Sequence, residues 1–188
     1  MIKQKNTIIV DFPEMTAEQI YEESGNKAGK NKLFYNTSWY KNEDFFTKEK
    51  TRKGKREIIL ELQYVDESWN ECDRLRGDLE MLNFAEVMYL LWKKKEMRVL
   101  LNSSNNICYT WASSRSTDGY LVYLGSFDSE GVYGNGWRPD YRHGYLGVSL
   151  SRSVETLVSS DSPFDSLEKR VRALETKFMK YDVDFLTP

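Results

Sequence analysis

Few residues of this chain are suited to covalent chemistry. A single histidine, His143, lies beside Arg142 and close to Asp140, and Ser151 and Ser153 share a strand-like run further on. An imidazole near a carboxylate has the makings of a general base. A serine nucleophile, however, needs a base within reach and a tight turn to expose its hydroxyl, and no G-x-S-x-G segment occurs. His143 therefore reads as a surface contact residue rather than a base. Cys72 and Cys108 stand 36 positions apart, in neither a C-x-x-C pair nor a zinc-ligand spacing, and read as reduced or buried thiols. The expectation is no catalytic residue, no metal, no cofactor and no enzyme activity.

The chemistry the sequence does favour is non-covalent recognition. Of 16 lysines, none falls in the 73 residues from Glu96 to Glu168, and no Gln falls there either. Seven of 11 glycines lie between Gly119 and Gly147, and five of 12 tyrosines between Tyr120 and Tyr145. Tyr offers a large rigid contact with a polar tip at small entropic cost, while Ser, Gly, Asn and Asp supply adaptable hydrogen bonds. Arg adds a forked donor with weaker hydration than Lys. Composition alone leaves two readings open, an exposed binding face or an ordinary Gly-rich β region.

The elements that must position these residues are partly readable. Thr7–Phe12 is β-branched, closed by Pro13, and reads as a strand; Thr16 with Gln19 makes a capping box for a short helix through Tyr21. Residues 24–55 read as a long, partly anchored loop, loosest around Lys48–Lys55, and Arg56–Val65 as a second strand. Asn83 with Glu86 opens the clearest helix, whose Phe84, Val87, Met88 and Leu91 recur at helical spacing and whose end carries Lys93, Lys94 and Lys95. Tyr120–Leu124 reads as a strand, Gly125–Glu130 as a turn, Gly131–Tyr133 as the start of the next strand, and Leu146–Arg152 as a half-buried strand. Leu167, Val171, Leu174 and Phe178 predict a C-terminal helix over 162–182. That helix or the 84–91 helix could instead support self-association, as in a virion or filament component.

At 188 residues, 40% hydrophobic and 14% aromatic, the chain has material for one folded domain. A net charge of −2 gives no reason to propose a nucleic-acid partner. The longest apolar run, Val87–Trp92, is far too short to span a bilayer, and the opening residues lack the apolar core of a signal peptide. A soluble protein made in the cytoplasm is expected.

One ordered pattern is familiar. Trp111-Ala112-Ser113-Ser114, Tyr120-Leu121-Val122-Tyr123-Leu124, Phe127, Gly131-Val132, Trp137-Arg138-Pro139-Asp140-Tyr141-Arg142 and Leu146-Gly147-Val148-Ser149-Leu150-Ser151-Arg152 follow one another in order. Together they resemble the formylglycine-generating-enzyme-like branch of the C-type lectin fold, and more narrowly the variable proteins of diversity-generating retroelements of bacteria, phages and archaea. The resemblance covers residues 108–153. It implies an α+β, C-type-lectin-like fold, a twisted antiparallel sheet with two or more flanking helices. It further implies one domain over 1–188: a scaffold half at 1–110, a variable ligand-binding segment at 111–145, a closing strand at 146–155, and the helix at 162–182. In that family, error-prone copying turns AAC codons into Tyr, Ser, Asp, Gly, His or Arg but never Lys, Gln, Glu, Met or Trp, which would account for the lysine gap. Fixed scaffold would be Trp111, Leu121, Val122, Leu124, Phe127, Val132, Trp137, Pro139, Leu146, Gly147 and Val148. Diversified, ligand-contacting positions would be Ser113, Ser114, Arg115, Ser116, Asp118, Tyr120, Tyr123, Ser126, Asp128, Ser129, Tyr133, Asn135, Arg138, Asp140, Tyr141, Arg142, His143 and Tyr145.

The implied partner is a protein ligand. An oxidase among the fold relatives needs two reactive cysteines or copper near the C-terminal core, where this chain has only Cys108. Arg138-Pro139-Asp140 faintly resembles the calcium and sugar motif of animal lectins. Calcium needs six to eight oxygen ligands, and here Asp140 stands among Arg138, Arg142 and His143. Metal-free stacking of a sugar on Tyr133, Trp137 or Tyr141 is the alternative binding mode.

Overall fold

Thr16 accepts from the Gln19 amide while the Gln19 side chain returns a bond to the Thr16 amide, closing the predicted capping box. The same device, built from Asn83 and Glu86, starts the predicted central helix. Both elements sit where local chemistry puts them. The computed structural model describes residues 6–25 and 32–154; the predicted helix over 162–182 lies outside the described residues.

The elements in chain order are β1 (Thr7–Phe12), α1 (Ala17–Glu23), α2 (Asp44–Thr47), β2 (Gly54–Ile59), α3 (Trp69–Leu75), β3 (Glu80–Met81) and α4 (Phe84–Lys93). They continue with α5 (Lys95–Leu100), β4 (Tyr109–Arg115), β5 (Leu121–Asp128), β6 (Gly131–Trp137), β7 (Leu146–Val148) and β8 (Leu150–Ser153). The class is α+β, with two four-stranded sheets ordered β1-β2-β8-β3 and β6-β5-β4-β7. All pairings are antiparallel except β4 with β7. No helix among the described residues is long and apolar enough to cross a membrane.

The second sheet carries core on both faces because its strands alternate with period two. Ala112, Val122, Leu124 and Val132 turn toward α4, where Phe84, Val87, Met88 and Leu91 are all buried. Trp111 and Leu121 turn the other way and pack with Ile59, Cys72, Met81, Leu146, Val148 and Leu150.

Four expectations change. The segment 32–55 is more than a loosely anchored loop: Tyr40, Phe45 and Phe46 insert into the core, with the Tyr40 and Phe45 rings 5.4 and 5.0 Å from Phe84. Lys48–Lys55 is tied down by buried Thr51 and by Arg52, whose guanidinium reaches the carboxylates of Glu80 and fully buried Glu86. The second strand ends at Ile59 rather than Val65, since Tyr64 and Asp66 take positive φ and only Gln63 returns to bridge Val148. The predicted strand over 146–152 is two strands. Leu146–Val148 joins β4, and Leu150–Ser153 crosses to β2 and β3, with buried Ser149 as the single residue between the sheets. β5 also runs through Asp128, so the β5–β6 turn is shorter than Gly125–Glu130.

Candidate ligand-binding site

Cross-strand register decides which side chains share a surface. Trp111 lies opposite Tyr123 and Tyr123 opposite Asn135; Tyr109 lies opposite Gly125 and Gly125 opposite Tyr133; Leu121 lies opposite Trp137. Directly opposed residues point the same way. One face therefore carries Tyr109, Tyr123, Tyr133, Asn135 and Trp137 beyond the Trp111–Leu121 core. At Gly125 a Cβ would stand 1.9 Å from the Cys108 carbonyl oxygen, so the position has no room for a side chain. The rings of its two cross-strand neighbours, Tyr109 and Tyr133, meet edge-on at 6.2 Å.

The segment 138–145 returns across this face between β6 and β7. Tyr141 stacks on Trp137 at 4.3 Å, His143 follows at 5.9 Å from Tyr141, and Tyr145 at 4.6 Å from His143. Main-chain and charged contacts hold the segment. The Asn70 amide donates to Pro139 O at 3.1 Å, and Arg142 donates to Asp66 O at 2.8 Å and pairs with Glu67 at 3.3 Å. The amides of Cys108 and Tyr109 both donate to Tyr145 O. His143 Nδ1 accepts from the Tyr145 amide at 3.3 Å.

Two hollows flank Tyr141. The larger, about 710 Å³, is lined by Tyr120, Gly136, Trp137, Arg138, Asp140, Tyr141 and Arg142. The smaller, about 260 Å³, is lined by Tyr109, Tyr123, Tyr141, His143, Tyr145 and Leu146. Burial, with the neighbouring Tyr133, Tyr109 and Tyr141 adding to it, pushes the Tyr123 phenol up to about 12, so it stays protonated at neutral pH.

No family model, curated protein or solved structure matches the chain.

Among the sequence-predicted site residues, Tyr120, Tyr123, Tyr133, Asn135, Arg138, Asp140, Tyr141, Arg142, His143 and Tyr145 come together on this face or in its two hollows. The others lie apart. Ser113 and Arg115 line a separate hollow of about 320 Å³ with Arg52, Trp69 and Arg76, where Arg115 lies over the Trp69 ring at 5.1 Å. Ser116 and Asp118 belong to the β4–β5 turn, where Ser116 Oγ accepts from the Tyr120 amide at 3.1 Å. Ser126, Asp128 and Ser129 sit at the far end of the β5–β6 hairpin, where the register shifts between Gly125 and Asp128 and Ser126 takes positive φ.

Ser114 is a correction. It is 1% exposed, accepts from the Phe84 amide at 2.8 Å, and donates to the Glu49 carboxylate. It holds β4 to α4 and is not a surface position. Trp137 corrects the opposite way: expected as scaffold, it is 40% exposed and forms a wall of the larger hollow. Tyr109 is the contact residue that sequence reasoning missed. The signal was the alternation of Tyr109 with Trp111, which places it on the same face once the strand is recognised.

Cys72 and Cys108 are both free and buried, and burial pushes the Cys72 thiol up to about 12 and raises that of Cys108. Among the described residues, no three His, Cys, Asp or Glu side chains gather as they would around a metal ion.

Proposed function

We propose that this chain is a recognition module that docks a protein ligand on the aromatic face between β5, β6 and the 138–145 segment. On this reading it is a variable protein of a diversity-generating retroelement, with a C-type-lectin-like scaffold beneath the face. One observation carries the reading. Ten positions that the family resemblance marks as changeable, from Tyr120 to Tyr145, share one surface with Trp137 and Tyr109. Scattered over unrelated faces, the same residues would have made no common footprint.

The physics of the surface supports docking of a protein. Tyr and Trp ring systems supply contact area with few torsions to freeze, and Trp, Tyr and Arg dominate the energetics of protein interfaces. Large apolar neighbours hold the backbone beneath: Trp111, Leu121, Leu146 and Val148 are all buried. Exchanges of exposed side chains above such a base cost little stability, typically within about 0.5 kcal/mol.

The test is selection of a displayed random-peptide library against the full chain. Selected peptides are expected to compete with one another and to bind at least about 30-fold more weakly to Trp137→Ala and to the double variant Tyr133→Ser, Tyr145→Ser, the factor that a hot spot of about 2 kcal/mol carries. Peptides indifferent to those substitutions would overturn the docking reading. For the retroelement origin, the decisive observation is in the gene: an AAC-rich near-copy of the codons for 113–145 beside a reverse-transcriptase gene.

A further inference from the structure

The two hollows that share Tyr141 differ in charge. The larger has Arg138, Arg142 and Asp140 in its wall, whereas the smaller is lined by no carboxylate, guanidinium or lysine side chain. Its lining is four tyrosines, the His143 imidazole and Leu146. The Tyr109 and Tyr123 rings meet at 5.6 Å and 80°, forming two walls at right angles, and His143 with Tyr145, 4.6 Å apart, forms a third side. At about 260 Å³ the space suits a head group rather than a drug-sized molecule, for which about 300–1,000 Å³ is usual.

The face of a tyrosine ring is the negative end of its quadrupole, and several such faces around one point attract a cation. A bare ammonium is strongly hydrated and would enter a site without a carboxylate at the cost of that hydration. Methylation spreads the charge over carbon and removes the N–H donors that hold water. No lysine of this chain competes from nearby in sequence, since none occurs between Glu96 and Glu168. The nearest guanidinium in sequence, Arg142, is turned to Asp66 O and the Glu67 carboxylate.

We infer that the hollow formed by Tyr109, Tyr123, Tyr141, His143, Tyr145 and Leu146 is an aromatic cage for a methylated ammonium group, carried on a lysine side chain of the docked protein. The inference rests on the docking reading for the source of the cation and names the chemistry that one part of that face selects.

Full-length protein is titrated with a short trimethyllysine peptide, with the same peptide in which carbon replaces the charged nitrogen, and with the unmethylated peptide, following tyrosine ring resonances by NMR. Saturable binding of the trimethyllysine peptide is expected, at least tenfold tighter than the carbon analogue and the unmethylated form. Tyr145 is 55% exposed, so Tyr145→Leu keeps the fold while removing one ring and is expected to weaken binding at least fivefold; Tyr145→Phe retains it. Equal binding of the carbon analogue, no saturable binding, or indifference to Tyr145→Leu would overturn the cage. Binding of phosphocholine vesicles without binding of the trimethyllysine peptide would overturn the protein source. If the cage fails while library-selected peptides still respond to Trp137→Ala, the docking reading stands alone. If the cage holds and no selected peptide maps to the face, docking is what fails.

Discussion

At the scale of single residues, chemical type told less than burial. Trp111 and Trp137 are the same side chain in the same sheet, and nothing in the sequence separates them as fixed positions. Trp111 is fully buried between Tyr123, Val148 and Leu150, whereas Trp137 stands at the sheet's edge with Tyr141 as its main neighbour. Trp111→Ala is expected to cost about 3–5 kcal/mol, the usual penalty for emptying a core aromatic site. Trp137→Ala is expected to cost well under half as much, read by urea denaturation of both variants. Ser113 and Ser114 make a second such pair. Ser114→Ala leaves the Phe84 amide and the Glu49 carboxylate without their hydroxyl partner, a loss of about 1–3 kcal/mol, while exposed Ser113→Ala should stay within about 0.5 kcal/mol. Both serines looked alike because strand parity is hard to read from three small residues in a row, Ala112-Ser113-Ser114.

At the scale of elements, legibility followed how local the cause was. The capping boxes at Thr16 and Asn83 lie within four residues and were readable. So was β1, bounded by Pro13. The start of α3 was local too, since Ser68 accepts from the Glu71 amide at 3.3 Å, a cap that went unread. By contrast α5 is short and lacks a side-chain cap, β3 has only two residues, and the crossing at Ser149 is decided by two sheets that the sequence does not display. The buried polar junction where the chain after α2 meets α4 and β4 was equally invisible. There burial raises the Glu49 carboxyl above the usual carboxylate range, opposed by the Ser114 hydrogen bond and reinforced by Glu86. A raised folded-state value means that the native state binds the proton more tightly than the unfolded chain does. Ionised Glu49 therefore destabilises the fold above that range, and the penalty disappears as the pH falls below about 4.3, the ordinary glutamate value. Glu49→Gln, which can still accept from Ser114, is expected to raise the melting temperature at pH 7 relative to the parent and to lose that advantage near pH 4.

At the scale of the whole molecule, the α+β class expected from the sequence is the class of the structure, and ten of the eighteen expected contact residues share one surface. The α+β class and the burial of Leu121, Val122, Leu124, Val132, Leu146 and Val148 agree with the sequence-based expectation. Where the surface would lie was legible only in part. Composition marked the segment, but the register of β4, β5 and β6 decides that Tyr123, Tyr133 and Trp137 join it while Ser126 and Asp128 fall at the hairpin's far end. The lysine gap yields a test at this scale. Neither hollow of the face contains an amine, so complete acetylation of lysine side chains in the folded protein should leave selected-peptide binding within about twofold. A large loss would relocate binding to the lysine-bearing parts of the chain.

The segment 138–145 is moored at both ends: β6 stops at Trp137, β7 starts at Leu146, and one residue after β7 the chain is already in the other sheet. A span with no slack at either mooring accepts a change of letters far more readily than a change of length. Inserted residues would have to bulge outward or drag β8 with them. Substitutions leave both strand ends where they are, so the surface can change its letters while β7 and β8 keep their pairing.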